Sequence, residues 1–143
     1  MRLMSEMHLL LGGSNSGKSR LAEKLALSLQ KKTQGELYYI ATGLAYDQEM
    51  QDKIAAHKKD RDQKFQTIDS PDLGANILKA SKPKDIILID CISMSVSNIL
   101  TLDQFKKRRI DDIKSDLKKC KSNLILVGQE TSLGILPTNE LSR

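Results

Sequence analysis

Short apolar runs of strand length alternate along this chain with longer polar segments whose apolar residues recur at helical spacing. Residues 7–12 (MHLLLG) read as a buried strand. Over 18–32, Leu21, Leu25 and Leu29 form one stripe with Ala22 and Ala26, a helix that Gly35 punctuates. Residues 37–42 (LYYIAT) read as a second strand and 65–69 (FQTID) as a short alternating one. Between them, 47–62 predicts a very polar helix with Met50, Ile54 and His57 at helical spacing. Ser70 followed by Pro71 predicts the start of a helix over 70–80. Residues 85–90 (DIILID) and 123–130 (NLILVGQE) read as central strands, and 97–120 as containing a long helix with Phe105, Ile110, Ile113 and Leu117 on one face. Strands apolar on both faces and separated by helices imply an α/β fold: a mostly parallel sheet with helices on both faces. No linker or repeat divides the chain, so residues 1–143 are expected to form a single domain.

Composition changes this picture little. Hydrophobic residues at 39% support a real core, and with 3% aromatics and no Trp that core must be aliphatic. A net charge of +5 raises the question of an acidic partner. The lysines, however, are interleaved with Asp and Glu along helical segments, and the one compact run, Lys106–Arg109, is followed at once by two Asp. It reads as a solvated helix face, and few aromatics are available for base stacking, so no nucleic-acid partner is expected. Cys91 and Cys120 lack metal-binding or disulfide-framework spacing. No apolar run has the length of a membrane span and no secretory signal is visible, so a cytoplasmic location without membrane attachment is expected.

The chemistry is concentrated at the first strand–helix junction. Gly12, Gly13, Ser14, Asn15, Ser16, Gly17, Lys18 and Ser19 complete a G-x-x-x-x-G-K-S phosphate-binding loop between a predicted strand and a predicted helix. The glycines allow backbone N–H groups to turn toward phosphate oxygens, and the following helix offers its positive end to the same anion. Lys18 suits the β- and γ-phosphates, and the Ser19 hydroxyl suits Mg²⁺. Such loops pair with a carboxylate at the end of a neighbouring strand, and Asp90 closes the run IILID. No Asn-Lys-x-Asp follows the late strand and no Asp-x-x-Gly follows IILID, which argues against a switch GTPase. With only six Arg, an adenylate-kinase-like lid is not evident either. His8 falls inside the first strand. His57 lies on a charged helix, where a solvent-facing residue and a nucleophile toward phosphorus are both open readings.

Four blocks, taken together, resemble a known family: the bifunctional adenosylcobinamide kinase / adenosylcobinamide-phosphate guanylyltransferases of cobalamin synthesis. They are LLGGSNSGKSRLAEKL, YYIATGLAYDQEMQDKIAAHKKDR, ILIDCISMSVSNIL and LVGQETSLGILPTNELSR, running from about Met7 to Arg143. The resemblance implies a P-loop NTPase fold with a RecA-like sheet. It also implies a two-step activity: phosphorylation of adenosylcobinamide by a nucleoside triphosphate, then transfer of GMP from GTP through a guanylylated histidine. His57 matches that histidine, and Lys18 and Glu130 match the family's other catalytic positions. Glu49 and Arg61 match nucleotide-binding positions, and Ser19 and Asp90 the Mg²⁺ corner. GTP and ATP are the implied substrates, with a corrinoid as acceptor and a homotrimer as the assembly.

The departures are Lys53 in place of the usual Arg before Ile54, AAH where some members have paired His, GQE for Asn-Glu, and TSLG for Val-Gly-x-Gly. The family's further helix and strands beyond the position of Arg143 are expected to be absent here, leaving a sheet edge open. Two other readings compete: a P-loop kinase of another small molecule, and a non-catalytic nucleotide-binding protein.

Overall fold

A computed structural model describes residues 5–13, 17–44, 48–60, 63–74 and 76–129, with the side chains of His57, Asp60 and Ala80 outside the description. The elements in chain order are β1 (Met7–Gly12), α1 (Lys18–Thr33), β2 (Leu37–Ala41), α2 (Gln48–Asp60), β3 (Phe65–Asp69), α3 (Ile77–Ala80), β4 (Ile86–Asp90), α4 (Ile92–Thr101), a 3₁₀ turn (Asp103–Phe105), α5 (Ile110–Lys119) and β5 (Asn123–Gln129). The five strands form one sheet in the order β1-β5-β4-β2-β3. Every neighbouring pair is parallel, as the alternation of apolar runs and helices requires. All five carboxyl ends therefore lie along one edge.

The two faces of the sheet hold two cores. Ala22, Ala26 and Leu29 of α1 pack on Leu37, Tyr39, Ile86, Leu88, Ile125 and Val127. On the other face, Leu78, Ile99 and Ile113 of α3, α4 and α5 cover Ile40, Ile87, Ile89, Leu124 and Leu126. At the amino edge, buried Asp85 accepts N–H bonds from Glu36 and Lys82. Asn123 accepts one from Glu6. These contacts align the strand starts, so that the strand ends meet in register at the opposite edge.

The structure corrects four sequence expectations. Among the described residues β1 is an edge strand and not a buried one: Met7, Leu9 and Leu11 are 56–58% exposed while Leu10 packs inward. His8 accordingly lies at this edge, 2.9 Å from the Glu6 carboxylate. The helix expected over 70–80 starts only at Ile77. Ser70 N–H is taken by Ala41 O and Pro71 O by the Asn98 amide, so the chain after β3 is held to the sheet edge instead of coiling.

The long helix expected within 97–120 is broken into α4, the 3₁₀ turn and α5. Phe105, Ile110, Ile113 and Leu117 still converge on one core, but across a bend. The Lys106–Arg109 run is that bend and not a helix face; Lys106, Lys107 and Arg109 are solvated as expected, but Arg108 is not. Arg108 is largely buried: it pairs with Asp116 at 2.7 Å and donates to the Asp72 and Leu73 carbonyls.

Candidate active site

The strand order decides where the chemistry meets. β5 lies between β1, which leads into the glycine loop, and β4, which ends in Asp90. Gly12 is in register with Gln129, Val127 with Asp90, and Asp90 with Ala41. Gly12, the carboxylate and the end of β2 thus line one edge, where open parallel sheets bind ligands.

Gly17 sits at φ +82°, a left-handed conformation that L side chains rarely adopt, and caps α1. No acidic residue occupies the first turn of α1, so its positive end is available to an anion. Lys18 folds back toward the end of β1: its Nζ donates to Gly12 O and Gly13 O, each at 2.9 Å. An ammonium has three N–H donors, so a third can reach a phosphate from this position. Ser19, one residue on, donates its hydroxyl to Asp90 Oδ2 at 3.0 Å, across the end of β5. Tyr39 of β2 donates its phenol to the same carboxylate oxygen.

This corner is braced from behind. The Thr42 side chain, fully buried, donates to Cys91 O at 2.8 Å and accepts from Cys91 N–H at 2.9 Å, while Thr42 N–H donates to Asp90 O. Asn98 of α4, also buried, spends both amide hydrogens on Thr42 O and Pro71 O, each at 3.0 Å. The loops after β2 and β3 are therefore tied to α4. Gln129 N–H, at the end of β5, is held by Ser93 Oγ. Cys91 caps α4, its sulfur accepting from Met94 N–H, and burial pushes its thiol pKa up from the ordinary value despite that bond.

Beside Asp90 opens a cavity of about 240 Å³. Its walls include Tyr39 and Asp90 from the sheet, Thr42 just after β2, and Met50, Lys53, Ile54 and Lys58 from α2. Position 57 belongs to this same helix, four residues after Lys53 and three after Ile54. Glu49 does not line the cavity; it is exposed and lies 3.8 Å from Lys53. Lys58 pairs with Asp69 at 3.4 Å.

Of the residues singled out in the sequence, Gly12, Gly13, Gly17, Lys18, Ser19 and Asp90 come together here. Ser14, Asn15, Ser16, Arg61 and Glu130 lie outside the described residues, and His57 is described by its backbone alone. Tyr39, Thr42 and Asn98 were not singled out. Their signal was slight: polar groups within the otherwise largely apolar YYIAT, and an Asn beside serines in SVSNIL.

The donor set can be tested against a cation. A serine hydroxyl and an aspartate carboxylate are hard oxygen ligands, and two protein groups at one corner suit an ion that keeps several waters and takes phosphate oxygens as well. That fits Mg²⁺. Among the described residues no cluster of three or more His, Cys, Asp and Glu offers a site of another kind. Nor is any helix among them long and apolar enough to cross a membrane.

Residues 8–143 match the family described as cobinamide kinase / cobinamide phosphate guanyltransferase. The chain is 38% identical over 140 residues to the bifunctional adenosylcobalamin biosynthesis protein CobP of Pseudomonas aeruginosa, covering 94% of this chain and 78% of that protein. It is 33% identical to the bifunctional adenosylcobalamin biosynthesis protein CobU of Salmonella typhimurium and 27% identical to that of Escherichia coli, in each case over 96% of this chain and 82% of the relative. The match takes in the loop, the Ser19–Asp90 corner and the helix of His57, and the chain belongs to the cobinamide kinase / cobinamide phosphate guanyltransferase family.

Proposed function

We propose that this chain carries out both reactions of its family at the edge described above, with His57 as the covalent nucleophile. The observation that carries the reading is the Ser19–Asp90 contact at the mouth of the glycine loop, beside a cavity walled by the helix of His57. In the first reaction a hydroxyl of adenosylcobinamide attacks the γ-phosphorus of ATP or GTP. The new O–P bond forms as the β,γ-bridging bond breaks, and the hydroxyl loses its proton. Lys18 and the N–H groups at the start of α1 hold the β- and γ-phosphates in line. Glu130, which follows β5 directly in sequence, is the residue assigned to receive the hydroxyl proton.

In the second reaction an imidazole nitrogen of His57 attacks the α-phosphorus of GTP and pyrophosphate leaves. The phosphate of the corrinoid then attacks the guanylyl phosphorus and frees the histidine. Ser19 and Asp90 would hold Mg²⁺, which supplies charge neutralisation on the phosphates when bound. Lys53 and Lys58 bring positive charge to the cavity, where anionic groups must gather. Arg61 and Glu49 are read as nucleotide contacts, and the assembly as a homotrimer acting in the cytoplasm.

The reading is tested by incubating the protein with adenosylcobinamide and nucleotide. Phosphorylation of the corrinoid, followed by pyrophosphate release with GTP, is the expected result. His57→Ala should keep the first step and lose the second. Phosphorylation of other alcohols but not cobinamide would favour a different kinase. Binding of nucleotide without turnover would favour a non-catalytic protein.

A further inference from the structure

We propose that Tyr39 is a positioning residue for the cation-binding carboxylate: its phenol, donated to Asp90 Oδ2, fixes which way that carboxylate faces. The proposal rests on the reading of Ser19 and Asp90 as the metal corner.

The register puts the two groups within reach. Leu37 and Tyr39 of β2 pack in the same core as Ile86 and Leu88 of β4, on the α1 face of the sheet. Asp90 continues that alternation, since residues two apart on a strand share a face. Asp90 is in register with Ala41, so Tyr39 starts one pleat behind it and extends toward the carboxyl edge. The ring is held there: it is 2% exposed and meets Phe65 of β3 edge-on, with centroids 5.9 Å apart and planes at 87°. A phenylalanine would fill the same volume. The added hydroxyl has to be desolvated in this setting, and a charge-assisted bond to Asp90 offsets that cost.

The chemistry of the donor matters as well. Two donors, Ser19 Oγ and the Tyr39 phenol, converge on one carboxylate oxygen. The carboxylate cannot turn without breaking both bonds. A lysine or arginine could orient Asp90 equally well, but would neutralise the charge that attracts a cation. A phenol orients the group and leaves its charge in place. Outer partners of this kind tune metal affinity through the ligands they hold.

The test uses Tyr39→Phe, which keeps the ring and its packing on Phe65. The protein is saturated with a non-hydrolysable GTP analogue and titrated with Mn²⁺, the free ion being followed by electron paramagnetic resonance. Tyr39→Phe should weaken Mn²⁺ binding about tenfold, with nucleotide affinity in EDTA unchanged. In an Asp90→Asn background the same substitution should change Mn²⁺ affinity less than about twofold, because the group it acts through is gone. Unchanged Mn²⁺ affinity in Tyr39→Phe, where Asp90→Asn alone weakens it, overturns the proposal. A lowered unfolding temperature with unchanged Mn²⁺ affinity assigns Tyr39 to the core only and overturns it too. If Asp90→Asn itself leaves Mn²⁺ affinity intact, the metal reading fails, and the role of Tyr39 with it.

Discussion

Ser19 and Asp90 are 71 residues apart in sequence and joined by a 3.0 Å hydrogen bond at the sheet edge. The bond crosses the end of β5, so it exists only once three strands have assembled in register. It leaves lone pairs of the serine oxygen open to a cation while the carboxylate accepts the hydroxyl's hydrogen bond. Ser19→Ala removes the hydroxyl and leaves Asp90 with its Tyr39 bond. Turnover of both reactions should fall by about a hundredfold or more, with nucleotide binding in EDTA retained. Steady-state kinetics over a Mg²⁺ series checks this, since excess metal should recover part of the loss.

Lys18 spends two of its donors on loop carbonyls. One of these bonds is exposed and the other only partly buried, so removing the lysine should cost little stability. The loss falls on the bound phosphates, where a charge-assisted bond disappears. Lys18→Ala should weaken nucleotide binding by about tenfold to a hundredfold, read by titrating a fluorescent GTP analogue. An unchanged unfolding midpoint in the same protein would show that the loss is local.

Asn98 holds the loops after β2 and β3 with one amide group. Asn98→Ala leaves two carbonyls without that donor and a void in a buried position. Urea unfolding should show a loss of about 2–4 kcal/mol. Since Thr42 in turn grips the Asp90–Cys91 peptide, the variant should also lose activity below its unfolding midpoint.

Gly35 permits a close approach far from the active edge. A Cβ there would lie 2.0 Å from Lys84 O and 2.3 Å from its carbonyl carbon, both backbone atoms. Gly35→Ala must therefore push two strand starts apart, for about 3 kcal/mol or more. Thermal unfolding checks it, and nucleotide affinity of the folded fraction should be unchanged.

Local signals carried the glycine loop and the Asp90 corner, because a loop motif and a strand-end carboxylate are written in consecutive residues. The buried stripes of α1 and the apolar strands β4 and β5 were legible for the same reason. What escaped depends on contacts between distant segments. MHLLLG looks like a buried strand, yet its burial depends on which strands flank it, and among the described residues β1 has a neighbour on one side only. Pro71 looks like a helix start, but Asn98, 27 residues on, claims its carbonyl. The long helix breaks where Arg108 turns inward to Asp116, in a run that reads as surface charge. Tyr39 looked like a strand residue, and nothing in its neighbours announces that its hydroxyl meets Asp90 51 residues later.

The central claim is that the helix flanking the cavity carries a histidine that becomes guanylylated. Intact mass spectrometry after incubation with GTP and Mg²⁺, followed by peptide mapping, tests it most directly. The account predicts one GMP-sized increment per chain, located to the peptide containing His57, stable to base, labile to acid, and absent in His57→Ala. A protein that binds GTP with Mg²⁺ yet gains no mass, or gains it at another residue, would contradict it.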